Sequence, residues 1–208
     1  MTVHTGQPLA SLAEKNWYWA FDRLFRDEQV DRIHRICMAK DEQEALTGDN
    51  KDPSSADHNI RKNKVTWNDD AELYGMLWPH LSYVNEAAGW RYAITGCEPL
   101  QYTIYYSSEN HYDWHIDTMP GDEPTDTIRK ISAVVQLSDS SEYEGGDFNI
   151  LTAEKDAADW SAWPVDIPQL KQRGAAIFFP STLFHRVRPI TNGPRRTLVA
   201  WFRGPAWR

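Results

Sequence analysis

The chain has 208 residues, of which 41% are hydrophobic, enough to bury the core of one domain. A formal net charge of −8 argues against binding to the nucleic-acid backbone, and the absence of any run of 18 apolar residues argues against a membrane span. The N-terminal MTVHTGQPLASLAEKNWYW lacks the basic-then-apolar layout of a signal peptide, so a cytoplasmic protein is expected.

Residues 17 to 40 place Phe21, Leu24, Phe25, Val30, Ile33 and Ile36 at roughly helical spacing, and Asp27 and Glu28 suit a helix start. A helix is expected over about 27 to 40. The polar stretch that follows is rich in turn formers and reads as a long loop, 41 to 66, able to serve as a lid over a small substrate. Leu73, Met76, Leu77, Leu81 and Val84 then predict a second amphipathic helix within 69 to 89, interrupted or kinked at Pro79. From residue 90 the texture changes to short β-branched and aromatic runs: WRYAITG, LQYTIYY, HYDWHID, KISAVVQLS, DFNILT, AAIFFPS, FHRVRPI and RRTLVAWFRG. Eight such strands are what a jelly roll requires. Gly145-Gly146 supplies a tight turn, and 152 to 173, with Trp160, Trp163, Pro164 and Pro168, reads as an insertion between strands. The expected architecture is mostly β with N-terminal helices. In it, 1–90 gives helical support and loop, and 91–208 forms a double-stranded β-helix core, within a single domain.

Cys37 and Cys97, the two cysteines, have no CxxC spacing, so a thiolate zinc site is unsupported and metal binding falls to histidine and carboxylate. In HYDWHIDTMP, His115 and Asp117 are two apart, which in a strand puts both side chains on one face. The pair alone is weak evidence, since His111 and Asp113 form a second one in the same decapeptide. A third donor, His185, follows in FFPSTLFHRVRPI. Two histidines and one carboxylate form the facial set that leaves coordination positions open for a co-substrate and oxygen. Ten residues beyond lies Arg195, whose guanidinium could take a carboxylate through two N–H groups. Arg196 is its rival, because strand alternation turns only one of the two inward.

The order of these residues, with Trp201 six beyond Arg195, resembles the 2-oxoglutarate and iron-dependent dioxygenases, in particular their prolyl 4-hydroxylase-like branch. LQYTIYYSSENHYDWHIDT, EYEGGDFNI and FFPSTLFHRVRPITNGPRRTLVAWFRGP carry the resemblance over residues 100 to 204, with a looser match from Arg61 to Trp90. It implies His115, Asp117 and His185 as iron(II) ligands and Arg195 as the anchor of 2-oxoglutarate. Tyr106, with Tyr105 as its rival, Ser132 and Trp201 take further places around the co-substrate. Dioxygen would be the oxidant and ascorbate a supporting reductant. Many prolyl hydroxylases use Lys where this chain has Arg195, which departs from the collagen-type pattern. The implied reaction is hydroxylation of an unactivated C–H in a prolyl or other residue of a peptide or protein. A free amino acid or small metabolite is the alternative substrate, and a non-catalytic cupin-like metal-binding module the alternative class. Nucleic acid and membrane partners are not expected.

Overall fold

Apolar spacing decides both helices. In α1 (Asp27–Cys37), Val30, Ile33 and Cys37 are three and four apart and buried, while Asp27 and Glu28 occupy the positive N-terminal end. The helix stops at Cys37, short of the expected Lys40. In α2 (Ala71–Ala87), Asp70 caps the start by accepting from the Glu72 N–H at 2.8 Å, and Leu73, Leu77, Leu81 and Val84 form one buried stripe. Pro79 does not interrupt this helix. The bond it cannot make would reach Gly75, and both residues face solvent. Burial of four large apolar side chains, at roughly 1.5–3 kcal/mol each, exceeds the roughly 3 kcal/mol cost of an interior proline.

The computed structural model describes residues 3–6, 16–45, 61–106, 110–118, 126–155 and 160–207. Five strands come from the first 90 residues: β1 (Val3–Gly6), β2 (Tyr18–Phe21), β3 (Gln43–Glu44), β4 (Arg61–Lys62) and β5 (Lys64–Asn68). The rest supplies β6 (Gly96–Cys97), β7 (Leu100–Tyr105), β8 (His111–His115), β9 (Thr127–Gln136), β10 (Glu144–Gly145) and β11 (Phe148–Lys155). There follow β12 (Trp160–Asp166), β13 (Ala176–Pro180), β14 (His185–Val187), β15 (Ile190–Asn192) and β16 (Arg195–Pro205). One sheet runs β1-β2-β13-β9-β16-β7-β5-β3, with β6 also paired to β16, and a second runs β12-β11-β14-β8-β4.

Strand alternation divides the large sheet into two faces. Leu100, Tyr102, Ile104, Ile131, Ala133, Val135, Leu198, Ala200 and Phe202 pack against the buried stripes of α1 and α2. On the opposite face Val134, Ile177 and Phe179 meet Phe148, Ile150 and Val187 of the small sheet. The expected mostly-β fold with N-terminal helices is the observed one, although the first 90 residues also extend the sheets.

Three local expectations are corrected. Residues 90 to 95 of WRYAITG form no strand; Asn85 binds the backbone of Tyr92 through both amide atoms, at 2.8 and 3.0 Å, and this side chain replaces a strand partner. The 152–173 segment is a β11–β12 hairpin continuing the small sheet, followed by a 3-10 turn at Pro168–Lys171. The 41–66 stretch contributes β3, β4 and the start of β5, while its lid expectation falls mainly on 46–60, outside the described residues. No helix among the described residues is long and apolar enough to cross a membrane.

Candidate active site

Between the two sheets lies a cleft with about 420 Å³ of empty space, its solvent mouth included. Gln101, Thr103, Tyr105, Val134, Arg195, Thr197, Val199 and Trp201 line it from the large sheet, and Tyr112, His115, Phe148, His185 and Val187 from the small one. Asp117 completes the lining just past β8.

His115 and His185 are cross-strand partners on β8 and β14. Asp117 is brought beside them by its backbone N–H, which donates to the Ser181 carbonyl at 2.9 Å. One ligand atom from each of the three lies within 4.8 Å of the others, and among the described residues this is the one cluster of its kind. His111 and Asp113, the rival pair, do not join it. The Nδ1 atoms of His115 and His185 sit 2.7 and 3.0 Å from the carbonyls of Asp113 and Leu183. A carbonyl only accepts, so in the neutral ring each Nδ1 carries the proton and each Nε2 is left with the lone pair. Those Nε2 atoms face the Asp117 carboxylate at 3.7 and 3.6 Å. Burial first, and His185 second, push His115 down to about 3, so its ring is neutral. For Asp117 burial acts in the opposite direction, yet the carboxyl is held below its ordinary range, with Arg129 and the Ser132 hydroxyl among the groups that favour its charged form. Lone pairs and a carboxylate converging in a buried site leave electron-rich atoms facing one another, an arrangement that a divalent cation satisfies.

Of the two neighbouring arginines, Arg195 is the one that lines the cleft. It is 1% exposed, and none of its three guanidinium nitrogens has a hydrogen-bond partner within the protein. Arg196 lies on the helix-facing side of the sheet, with Nη1 3.5 Å from Glu142. Gly146 makes room for Arg195: its φ of +64° suits glycine, and a Cβ there would meet the Ile190 side chain at 2.2 Å and the Arg195 Cδ at 3.0 Å. A buried, unpaired guanidinium is costly, and a carboxylate is the group that satisfies it.

The sequence profile of the 2OG-Fe(II) oxygenase superfamily matches residues 100–203, half of the chain and the whole stretch that carries these four residues. The chain belongs to this superfamily. Membership implies iron(II), 2-oxoglutarate and dioxygen, and the three converging donors and the unpaired guanidinium fit the first two. A PKHD-type hydroxylase of Xylella fastidiosa is 33% identical over 111 residues, which cover 50% of this chain and 43% of that relative. The chain therefore spans under half the length of the curated relatives it matches. Among solved structures, a Pseudomonas putida prolyl-4-hydroxylase shares the fold with a TM-score of 0.64 at 18% identity, covering 90% of this chain and 92% of that one. A Trichoplax adhaerens prolyl hydroxylase, solved with a hypoxia inducible factor peptide fragment, gives 0.63 at 18% identity, covering 89% and 83%.

Set against the pattern of the 2OG-Fe(II) oxygenases, the remaining expected residues divide. Tyr106 is corrected: it lies past the end of β7, is 42% exposed, and donates its hydroxyl to Glu42 at 2.5 Å. Tyr105, its neighbour, lines the cleft with its ring centroid 5.7 Å from the Arg195 guanidinium. Burial raises the Tyr105 hydroxyl above its ordinary value, with Arg195 opposing. Ser132 is also displaced from the expected co-substrate contact. It sits behind Asp117, donating to Oδ2 at 2.6 Å, and its hydroxyl meets that of Ser181 at 2.9 Å. Trp201 lines the cleft with an indole N–H that has no partner in the protein.

The sequence reading missed Gln101, Thr103, Arg129 and Glu98. Alternation in LQYTIYY carried the signal for the first two, because Gln101, Thr103 and Tyr105 share the face opposite Leu100, Tyr102 and Ile104. Arg129 binds Glu98 through two nitrogens at 2.8 and 2.6 Å, donates to the Asp117 carbonyl at 3.2 Å, and stacks 4.1 Å from the Trp201 ring. No local spacing marks that arginine, since its partners lie on separate elements.

Proposed function

We propose that this chain is a 2-oxoglutarate-dependent hydroxylase acting on an unactivated C–H of a prolyl or other residue in a peptide or protein. The observation that carries the reading is the buried, unpaired Arg195 guanidinium facing the same cleft as the His115, Asp117 and His185 donors. A dicarboxylic 2-oxo acid has the chemistry to use both: one end at the metal, the other at the arginine. Bound iron(II) and 2-oxoglutarate would supply two of the electrons that reduce dioxygen, the substrate C–H supplying the others, with succinate, carbon dioxide and the hydroxylated product released.

The chain's own residues bind, orient and shield. His115 and His185 offer Nε2 lone pairs, with Nδ1 held by carbonyls so that the rings keep one tautomer. Ser132 and the Asp117 backbone bond to Ser181 fix the carboxylate. Val134, Phe148, Val187 and Val199 form an apolar wall that keeps water from the reacting centre. The peptide assignment draws on the prolyl hydroxylases among the structures that share the fold.

The test is succinate release under air with iron(II) and 2-oxoglutarate, screened across proline-containing peptides and free amino acids. Stimulation by a peptide and not by the free amino acids is the expected result. Stimulation by a free amino acid alone moves the substrate to small molecules, and no succinate with any substrate overturns the hydroxylase reading.

A further inference from the structure

We infer that Arg61 is a positioning residue for the metal centre, holding the His115 imidazole in its plane through Tyr112. The inference rests on the proposal that His115, Asp117 and His185 hold the metal. Arg61 opens β4, in a stretch that reads from sequence as loop, and the β4–β8 register sets it opposite Tyr112. Its guanidinium carbon lies 4.6 Å from the Tyr112 ring centroid. The Tyr112 ring in turn lies flat on His115, with centroids 3.4 Å apart and planes 13° apart. Cation, phenol and imidazole form a three-layer stack whose last layer is a proposed ligand.

The other side of the same guanidinium reaches the large sheet. Nη2 donates to Gln101 Oε1 at 3.0 Å, and the Gln101 amide donates onward to Thr103 Oγ1 at 2.7 Å. Nε donates to Asn63 Oδ1 at 3.3 Å. At 7% exposure Arg61 bridges the two walls of the cleft, Tyr112 on β8 and Gln101 on β7.

The mechanical consequence follows from the freedom of an imidazole. The Nδ1 bond to the Asp113 carbonyl fixes where one edge of the ring sits but leaves a rocking motion about that bond. A flat neighbour on the ring face removes it, and the cation over Tyr112 holds that neighbour down. Cation–π attraction strengthens where water is excluded, and the planar fork of arginine is what permits stacking and two-sided hydrogen bonding together.

The experiment uses the full chain and cobalt(II), titrated without co-substrate or turnover and followed by visible absorption, which reports both affinity and ligand geometry. His115→Ala sets the scale for a lost ligand. Arg61→Ala and Tyr112→Leu are expected to weaken cobalt affinity about tenfold or more and to shift the absorption, the range typical of groups that support a metal-bound histidine. Tyr112→Phe keeps the ring and is expected to bind as wild type does, while Arg61→Lys recovers only part of the loss. Thermal unfolding of each metal-free variant identifies those that fold; should Arg61→Ala fail, Arg61→Lys and Tyr112→Leu carry the comparison. Wild-type affinity and spectrum in the folded Arg61 and Tyr112→Leu variants, with binding lost in His115→Ala, overturn the positioning role alone. Unchanged binding in His115→Ala overturns the metal reading as well.

Discussion

Arg195 and Arg196 differ by one peptide unit, yet one is buried in the cleft without a protein partner and the other lies across the sheet near Glu142. The chemistry follows that half-turn of the strand. Arg195→Ala is expected to raise the 2-oxoglutarate KM by roughly thirtyfold or more, since removing one member of a buried charge pair costs about 2 kcal/mol upward. Arg196→Ala is expected to leave that KM near the wild-type value, and steady-state kinetics with varied 2-oxoglutarate checks both. The reverse order would mean that the inward face of β16 is misassigned. The same one-residue logic separates Tyr105 from Tyr106. Sequence spacing from His115 favoured Tyr106, whereas the strand ends at Tyr105 and only residues within it alternate reliably.

At the scale of elements, apolar periodicity made both helices legible, and strand texture made β7, β8, β9, β11, β13, β14 and β16 legible. It failed where a strand is short or its partner distant. β4 is a two-residue strand in a polar stretch, and it forms a ladder only because β8 lies alongside. The 90–95 segment failed in the other direction, since Asn85 supplies from a helix the hydrogen bonds that a strand neighbour would have made. Gly174 shows how a junction between elements is held. With φ at +80° it accepts at its carbonyl from the N–H groups of Leu24 and Phe25, at 2.7 and 3.0 Å, and a Cβ there would approach the Phe25 oxygen to 2.1 Å. Gly174→Ala is therefore expected to cost about 2 kcal/mol or more and to lower Tm by roughly 4–8 °C in a chain of this size. A thermal melt tests this, and an unchanged Tm would show that the junction relaxes freely.

For the whole molecule, the proposed metal and 2-oxoglutarate sites would couple stability to ligands. Metal and 2-oxoglutarate, each at about a hundred times its Kd, are expected to add about 2.7 kcal/mol apiece, or roughly 5–10 °C in Tm. Arg195→Ala should keep the metal increment and lose that of 2-oxoglutarate, while Asp117→Ala should lose both; equal shifts in wild type and Asp117→Ala would remove the metal from the site. The division between sequence and structure runs along the same line. The sequence by itself determined the mostly-β class, the two helices, the HxD pair with its distal His185, and the family resemblance, because these rest on local periodicity and on residue types in fixed order. Spacing and resemblance favoured Arg195, which does line the cleft, and Tyr106, which does not, while Ser132 turning to Asp117 and the Arg61, Tyr112 and His115 stack left no local signal. Those depend on sheet register and on strands far apart in the chain meeting across a cleft, and only tertiary packing decides which face of a strand a given side chain can occupy.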